Sequence, residues 1–160
     1  MSFERPKKSG WHTLTEANIL LITNGPESGG LDGRLQMEGA KLVHISALSL
    51  SLTEGEHPDA DLVVVADSNS KSDELELCRR VRAQFSAPIL ALTRFNDEAA
   101  AVAMYNAGVD ECMPRSISCD LLQAKLTAWL SWLARKAHDP NVHAANLRVH
   151  TPPTAHIKRR

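Results

Sequence analysis

The chain has 160 residues, of which 43% are hydrophobic and 23% charged, and a formal net charge of −1. This fits one compact domain with tails and supplies enough apolar surface for a core. No apolar run approaches the roughly 18–20 residues of a membrane span, and the polar start Met1-Ser2-Phe3-Glu4-Arg5-Pro6-Lys7-Lys8 lacks a signal-peptide segment. A cytoplasmic location without membrane contact is therefore expected.

The charge is unevenly spread. Residues 1–9 carry a net +2 and residues 138–160 a net +3, which leaves −6 on the body between them. An acidic body argues against nucleic-acid binding by the domain itself. Cys78, Cys112 and Cys119 are odd in number and form no C-x-x-C pair, so they read as reduced, packed thiols.

Residues 1–16 read as an N-terminal arm, and residues 17–137 as the folded domain. Asn18-Ile19-Leu20-Leu21-Ile22-Thr23 has the continuous apolar character of a buried strand, and Asn24-Gly25-Pro26-Glu27 reads as a turn. The next segment keeps Leu31 and Leu35 at helical spacing but holds Gly29, Gly30 and Gly33. Each glycine costs about 1 kcal/mol in a helix interior, so a short or frayed helix is expected. The Gly29–Gly33 stretch has neither the G-x-x-x-x-G-K-[ST] nor the G-x-G-x-x-G spacing of a phosphate loop.

Leu42-Val43-His44-Ile45-Ser46 reads as a second strand. Leu48, Leu50 and Leu52 alternate with polar residues, a pattern open to a short helix or irregular structure. Leu62 to Ala66 reads as a strand buried on both faces. Ser70-x-x-Asp73 resembles a capping box that opens a helix with Leu75, Cys78, Val81 and Arg82. Pro88 to Thr93 is a further strand. Asn96, followed by Asp97 and Glu98, is the expected cap of an alanine-rich helix that Gly108 ends. Val109 to Met113 is the last strand. Ser118 caps a final helix with Leu122, Leu126, Trp129, Leu130 and Leu133 on one stripe.

Strands that alternate with helices imply a parallel sheet with right-handed crossovers. Residues 138–160 read as a linker or disordered basic tail. Its histidines, His138, His143, His150 and His156, match no helical metal pair. No Ser-His-Asp or Cys-His arrangement is recognisable, and the chain is not expected to be an enzyme.

Three segments carry a resemblance to a known family: Leu75-Glu76-Leu77-Cys78-Arg79-Arg80-Val81-Arg82, Pro88-Ile89-Leu90-Ala91-Leu92-Thr93 and Ala107-Gly108-Val109-Asp110-Glu111. In order and spacing they resemble the receiver (CheY-like) domain of bacterial response regulators, nearest to receivers of winged-helix regulators. The resemblance spans roughly residues 17–137. It implies a flavodoxin-like three-layer α/β sandwich with a five-stranded parallel sheet.

The family's phosphotransfer chemistry uses groups at the carboxyl ends of the strands, where open α/β sheets place their sites. Carried over to this chain, the Mg²⁺-binding acid pair falls on Thr23 and Asn24. The phosphate-accepting aspartate falls on Ala66, and the hydroxyl that senses the phosphoryl group on Thr93. The lysine position holds Arg115, followed by Ser116 in place of the usual proline, and the aromatic switch position holds Cys112. An alanine cannot attack phosphorus, and Mg²⁺ needs carboxylate oxygens. The implied module is thus a pseudo-receiver that works without phosphorylation and without Mg²⁺.

Asp67, next to Ala66, is the candidate replacement carboxylate. Side chains alternate along a strand, so a shift of one residue is expected to turn it away from Thr93 and Arg115 unless a bulge intervenes. Arg115 suits either an anion or a salt bridge to Asp67.

The resemblance also places a partner face on the alanine-rich helix, the last strand and the last helix. Its candidates are Ala101, Met104, Tyr105, Asp110, Glu111, Lys125 and Trp132. The expected partner is a second copy of the chain or another signalling protein, with DNA reached only through an output domain that this chain lacks. A monomeric adaptor for a kinase or other regulator is the alternative, followed by a phospho-acceptor that uses Asp67.

Overall fold

The structure is a computed structural model, and it describes residues 17–24, 33, 35, 41–52, 57–66, 70–95 and 97–137. The arm at 1–16, residues 29–32, Asp67, Asn96 and the histidine-bearing tail at 138–160 lie outside the described residues. Five strands form one sheet: β1 (Asn18–Thr23), β2 (Lys41–Ser46), β3 (Leu62–Ala66), β4 (Ile89–Thr93) and β5 (Glu111–Pro114). All neighbours are parallel, in the order β2-β1-β3-β4-β5. The helices are α1 (Ala47–Leu52), α2 (Lys71–Gln84), α3 (Glu98–Asn106) and α4 (Cys119–Ala137). The Leu48–Leu52 stretch is therefore helical. None of these helices is long and apolar enough to cross a membrane.

Alternation along the strands builds two cores. Ile19, Leu21, Leu62, Val64, Ala66, Leu90, Leu92 and Met113 face Leu122, Leu126 and Leu130 of α4. Leu20, Ile22, Val63, Val65, Ile89 and Ala91 face Leu77, Cys78 and Val81 of α2, with Leu50 of α1 and Met104 of α3. Helices cover both faces, which is why β1, β3 and β4 read as unbroken apolar runs.

The helix starts are capped locally. Ser70 accepts the Asp73 N–H at 3.2 Å, and its hydroxyl donates to the Asp73 carboxylate at 2.6 Å. The cap of α3 is Asp97, whose carboxylate accepts the Ala100 N–H at 2.7 Å. The expected cap, Asn96, is one residue too early. The Ala100 bond, aided by Lys71, holds the Asp97 carboxyl below its ordinary range.

Gly108 ends α3. Its N–H reaches the Tyr105 carbonyl and the Val109 N–H reaches that of Met104, the pairing of a left-handed helix stop. Gly108 has φ +100°, and a Cβ there would sit 2.6 Å from Arg82 Cγ. The close approach exists because Arg82 clamps this corner. Its guanidinium donates to the Gly108 carbonyl (3.0 Å), the Ala87 carbonyl (3.1 Å) and the Asp110 carboxylate (2.7 Å).

Gly108→Ala combines a strained backbone with this overlap. It is expected to cost about 2–4 kcal/mol, read as a lower urea midpoint with an unchanged slope. A change under about 0.5 kcal/mol would show that the corner relaxes freely.

Candidate functional site

Parallel strands all end at one edge, so Thr23, Ala66, Thr93 and Pro114 finish β1, β3, β4 and β5 on the same side of the molecule. At β1 the Thr23 side chain is buried, and its hydroxyl lies 2.7 Å from His44 Nε2 on β2. Asn24 is exposed. The described end of β1 offers hydroxyl, amide and imidazole groups but no carboxylate, and this donor set does not fit Mg²⁺. Among the described residues no group of three or more His, Cys, Asp or Glu is placed to hold a metal.

Ala66 is buried in the core beneath α4, in register with Leu92. Thr93 follows Leu92 and points to the opposite face, the side of α2. The expectation for Asp67 assumed that Ala66 and Thr93 share a face, and the register puts these two on opposite faces. Asp67 itself lies outside the described residues.

The Thr93 hydroxyl is engaged inside the fold, as donor and as acceptor. It donates to Glu74 Oε2 at 2.9 Å and accepts the Phe95 N–H at 2.9 Å. Glu74 sits in the first turn of α2, where the helix N-terminus favours a carboxylate, and it is only 3% exposed. A carboxylate buried this far needs hydrogen-bond partners, and Thr93 supplies one. The relay links the start of α2, the end of β4 and the chain leading to α3.

Sequence reasoning missed Glu74. The signal was its phase: 74, 77, 78 and 81 are one helical face, and the other three are core residues. Leu75, expected on that face, is only half-buried.

Thr93, Arg94, Arg115 and Ser116 line an open cleft of about 400 Å³. The Arg115 N–H donates to the Thr93 carbonyl at 2.8 Å, which ties the two strand ends together. The Arg115–Ser116 peptide bond is trans. Cys112 is half-buried on β5 and packs against the α2-side core. Burial pushes its thiol up, with Glu74 and Glu111 adding to the effect. Burial first, and then Glu74, pushes the Cys78 thiol up to about 12.

On the expected partner face, Tyr105 is exposed and Ala101 half-buried. Met104 is in the core, because 100, 104 and 107 form the inner face of α3. Val102 is exposed in its place. Asp110 is engaged within the fold by Arg82 and by the Ile89 N–H at 2.8 Å. Lys125 bridges to Glu111 at 2.9 Å, joining α4 to β5. Trp132 is 39% exposed; it meets Trp129 edge-on at 5.5 Å and lies under Lys136 Nζ at 4.1 Å.

No protein-family model matches the chain, and no curated protein matches it. Solved structures do. A two-component response regulator from Clostridium difficile superposes with a TM-score of 0.63 at 22% identity, covering 78% of this chain and 100% of that one. The receiver domain of a sensor histidine kinase from Pseudomonas aeruginosa, with a magnesium ion coordinated in its active-site cleft, gives 0.57 at 19%, covering 71% and 97%. A protein from Burkholderia pseudomallei described as pilus assembly-related gives 0.64 at 12%, covering 76% and 95%. The chain has the flavodoxin-like fold of receiver domains.

Thr93→Val and Glu74→Met are each expected to cost about 1–3 kcal/mol, because each strips a buried group of a partner. The double variant is expected to cost about 1 kcal/mol less than their sum in urea unfolding, and strict additivity would disprove the coupling. Burial favours the neutral Cys78 thiol, so its contribution is intact below about pH 9 and is lost as the pH rises towards 12. Stability should therefore fall more steeply above pH 9 in the wild type than in Cys78→Ala, and equal slopes would contradict this.

Proposed function

We propose that this chain is a phosphorylation-independent pseudo-receiver, a cytoplasmic signalling module that acts through protein contacts rather than catalysis. The observation that carries the reading is the apolar Ala66, buried at the carboxyl end of β3, the position to which the sequence resemblance carries the phosphate-accepting aspartate. Two further features support it. The donor set at the end of β1 does not suit Mg²⁺, and the Thr93 hydroxyl is already committed to Glu74 and Phe95. The module's output is self-association or partner binding through the exposed surface of α3, β5 and α4, in signal transduction or transcriptional regulation. The face is more apolar than salt-bridged: Val102, Tyr105, Leu121 and Trp132 are exposed there, whereas Asp110 and Lys125 are paired within the chain. DNA would be reached only through a separate output domain.

The second reading is a monomeric adaptor.

Incubation with acetyl phosphate and Mg²⁺ is expected to leave the intact mass unchanged. Stoichiometric incorporation that is lost in Asp67→Ala would overturn the proposal and make Asp67 the acceptor. Light scattering over a wide concentration range is expected to show a dimer that Trp132→Ala weakens by about tenfold. A wild type that stays monomeric would favour the adaptor.

A further inference from the structure

The outer surface of α4 carries an ordered pattern of exposed side chains. Leu121, Ala128, Trp132 and Arg135 recur at helical spacing on one side, and all four are exposed. Leu121 is 51% exposed. Asp120 stands at the N-terminal end of this helix and Arg135 near its C-terminal end; both are exposed, and neither has an ion-pair partner among the described residues. They are about 22 Å apart along the axis, too far to meet within one chain.

A second copy brings them together in one orientation only. If two α4 helices lie antiparallel, Asp120 of each falls near Arg135 of the other, and Leu121 of each falls opposite Trp132 of the other. The two pairs are centred within one residue of each other, about 1.5 Å along the axis, around Thr127. At that level the stripe presents Ala128, a small residue that permits close approach. In a parallel arrangement Arg135 would face Arg135 and Asp120 would face Asp120. The antiparallel pairing also sets opposite ends of the two helix dipoles side by side.

We propose that the partner of this face is a second copy of the chain, docked through an antiparallel, two-fold α4–α4 contact centred around Thr127, next to Ala128. The contact is isologous, so each unlike pair occurs twice. Leu121 and Trp132 supply the apolar contacts, and the Asp120–Arg135 pairs fix the orientation. The proposal rests on the self-association reading above and adds its geometry.

The test is sedimentation equilibrium on the full chain with four proteins: wild type, Asp120→Arg, Arg135→Asp and the double swap. Each single change places two like-charge contacts in the interface, and is expected to weaken the dimer by about tenfold at low salt. The double swap is expected to restore it to within about threefold of wild type. A wild-type dimer with singles within about twofold of it, or without rescue by the swap, overturns the α4–α4 geometry while leaving self-association standing. A monomeric wild type overturns both. A fifth variant, Ala128→Cys, gives a readout that does not depend on charge. Mild oxidation is expected to link it into a covalent dimer that wild type, with its own three cysteines, does not form. Absence of that extra dimer counts against the contact.

Discussion

A sheet covered on both faces is the constraint on which the rest depends. It demands apolar side chains on both sides of β1, β3 and β4, and it sorts successive residues into two separate cores. That sorting also reaches the end of the sheet where the site lies. Ala66 belongs to the core beneath α4, and Thr93, one step beyond the residue it pairs with, belongs to the side of α2. Ala66 and Thr93 thus lie on opposite faces of the sheet. One is apolar, and the other is held by a carboxylate from the chain itself.

Glu74 gives that end of the molecule its character. A carboxylate at 3% exposure is costly unless it is bonded, and the Thr93 hydroxyl and the first turn of α2 both favour it. The same hydroxyl receives the Phe95 N–H, so the start of α2, the end of β4 and the approach to α3 share one buried relay. A pocket arranged in this way is built around an internal anion. Its negative charge also helps keep Cys78 and Cys112 as neutral thiols, which leaves them poor nucleophiles.

Charge on the surface is divided in the same economical way. Arg82 and Asp110 look like surface charges in sequence, but they form a corner brace with Gly108 and the start of β4. Lys125 and Glu111 tie α4 to β5. What remains outward on α4 is an apolar stripe with unlike charges at its two ends, a surface suited to meeting a copy of itself.

Periodicity and helix-end signals located the five strands in chain order, α2, α3 and α4, the doubly covered β3 and the helix stop at Gly108, and left the Leu48–Leu52 stretch open. Those signals are local: continuous apolar runs of five or six residues, a stripe at helical spacing, and a glycine that tolerates positive φ. The resemblance located Ala66 by counting along the chain. Only the tertiary structure decided that Thr93 meets Glu74, that Asp97 rather than Asn96 caps α3, and that Met104 turns inward while Val102 turns out. Each of these depends on helix phase or strand parity at an end, where a shift of one residue moves a side chain by about 100° on a helix or to the other face of a strand. Long-range pairs such as Thr93 with Glu74 leave no spacing signature in the chain, because the partners meet only after the crossover between β3 and β4 has folded.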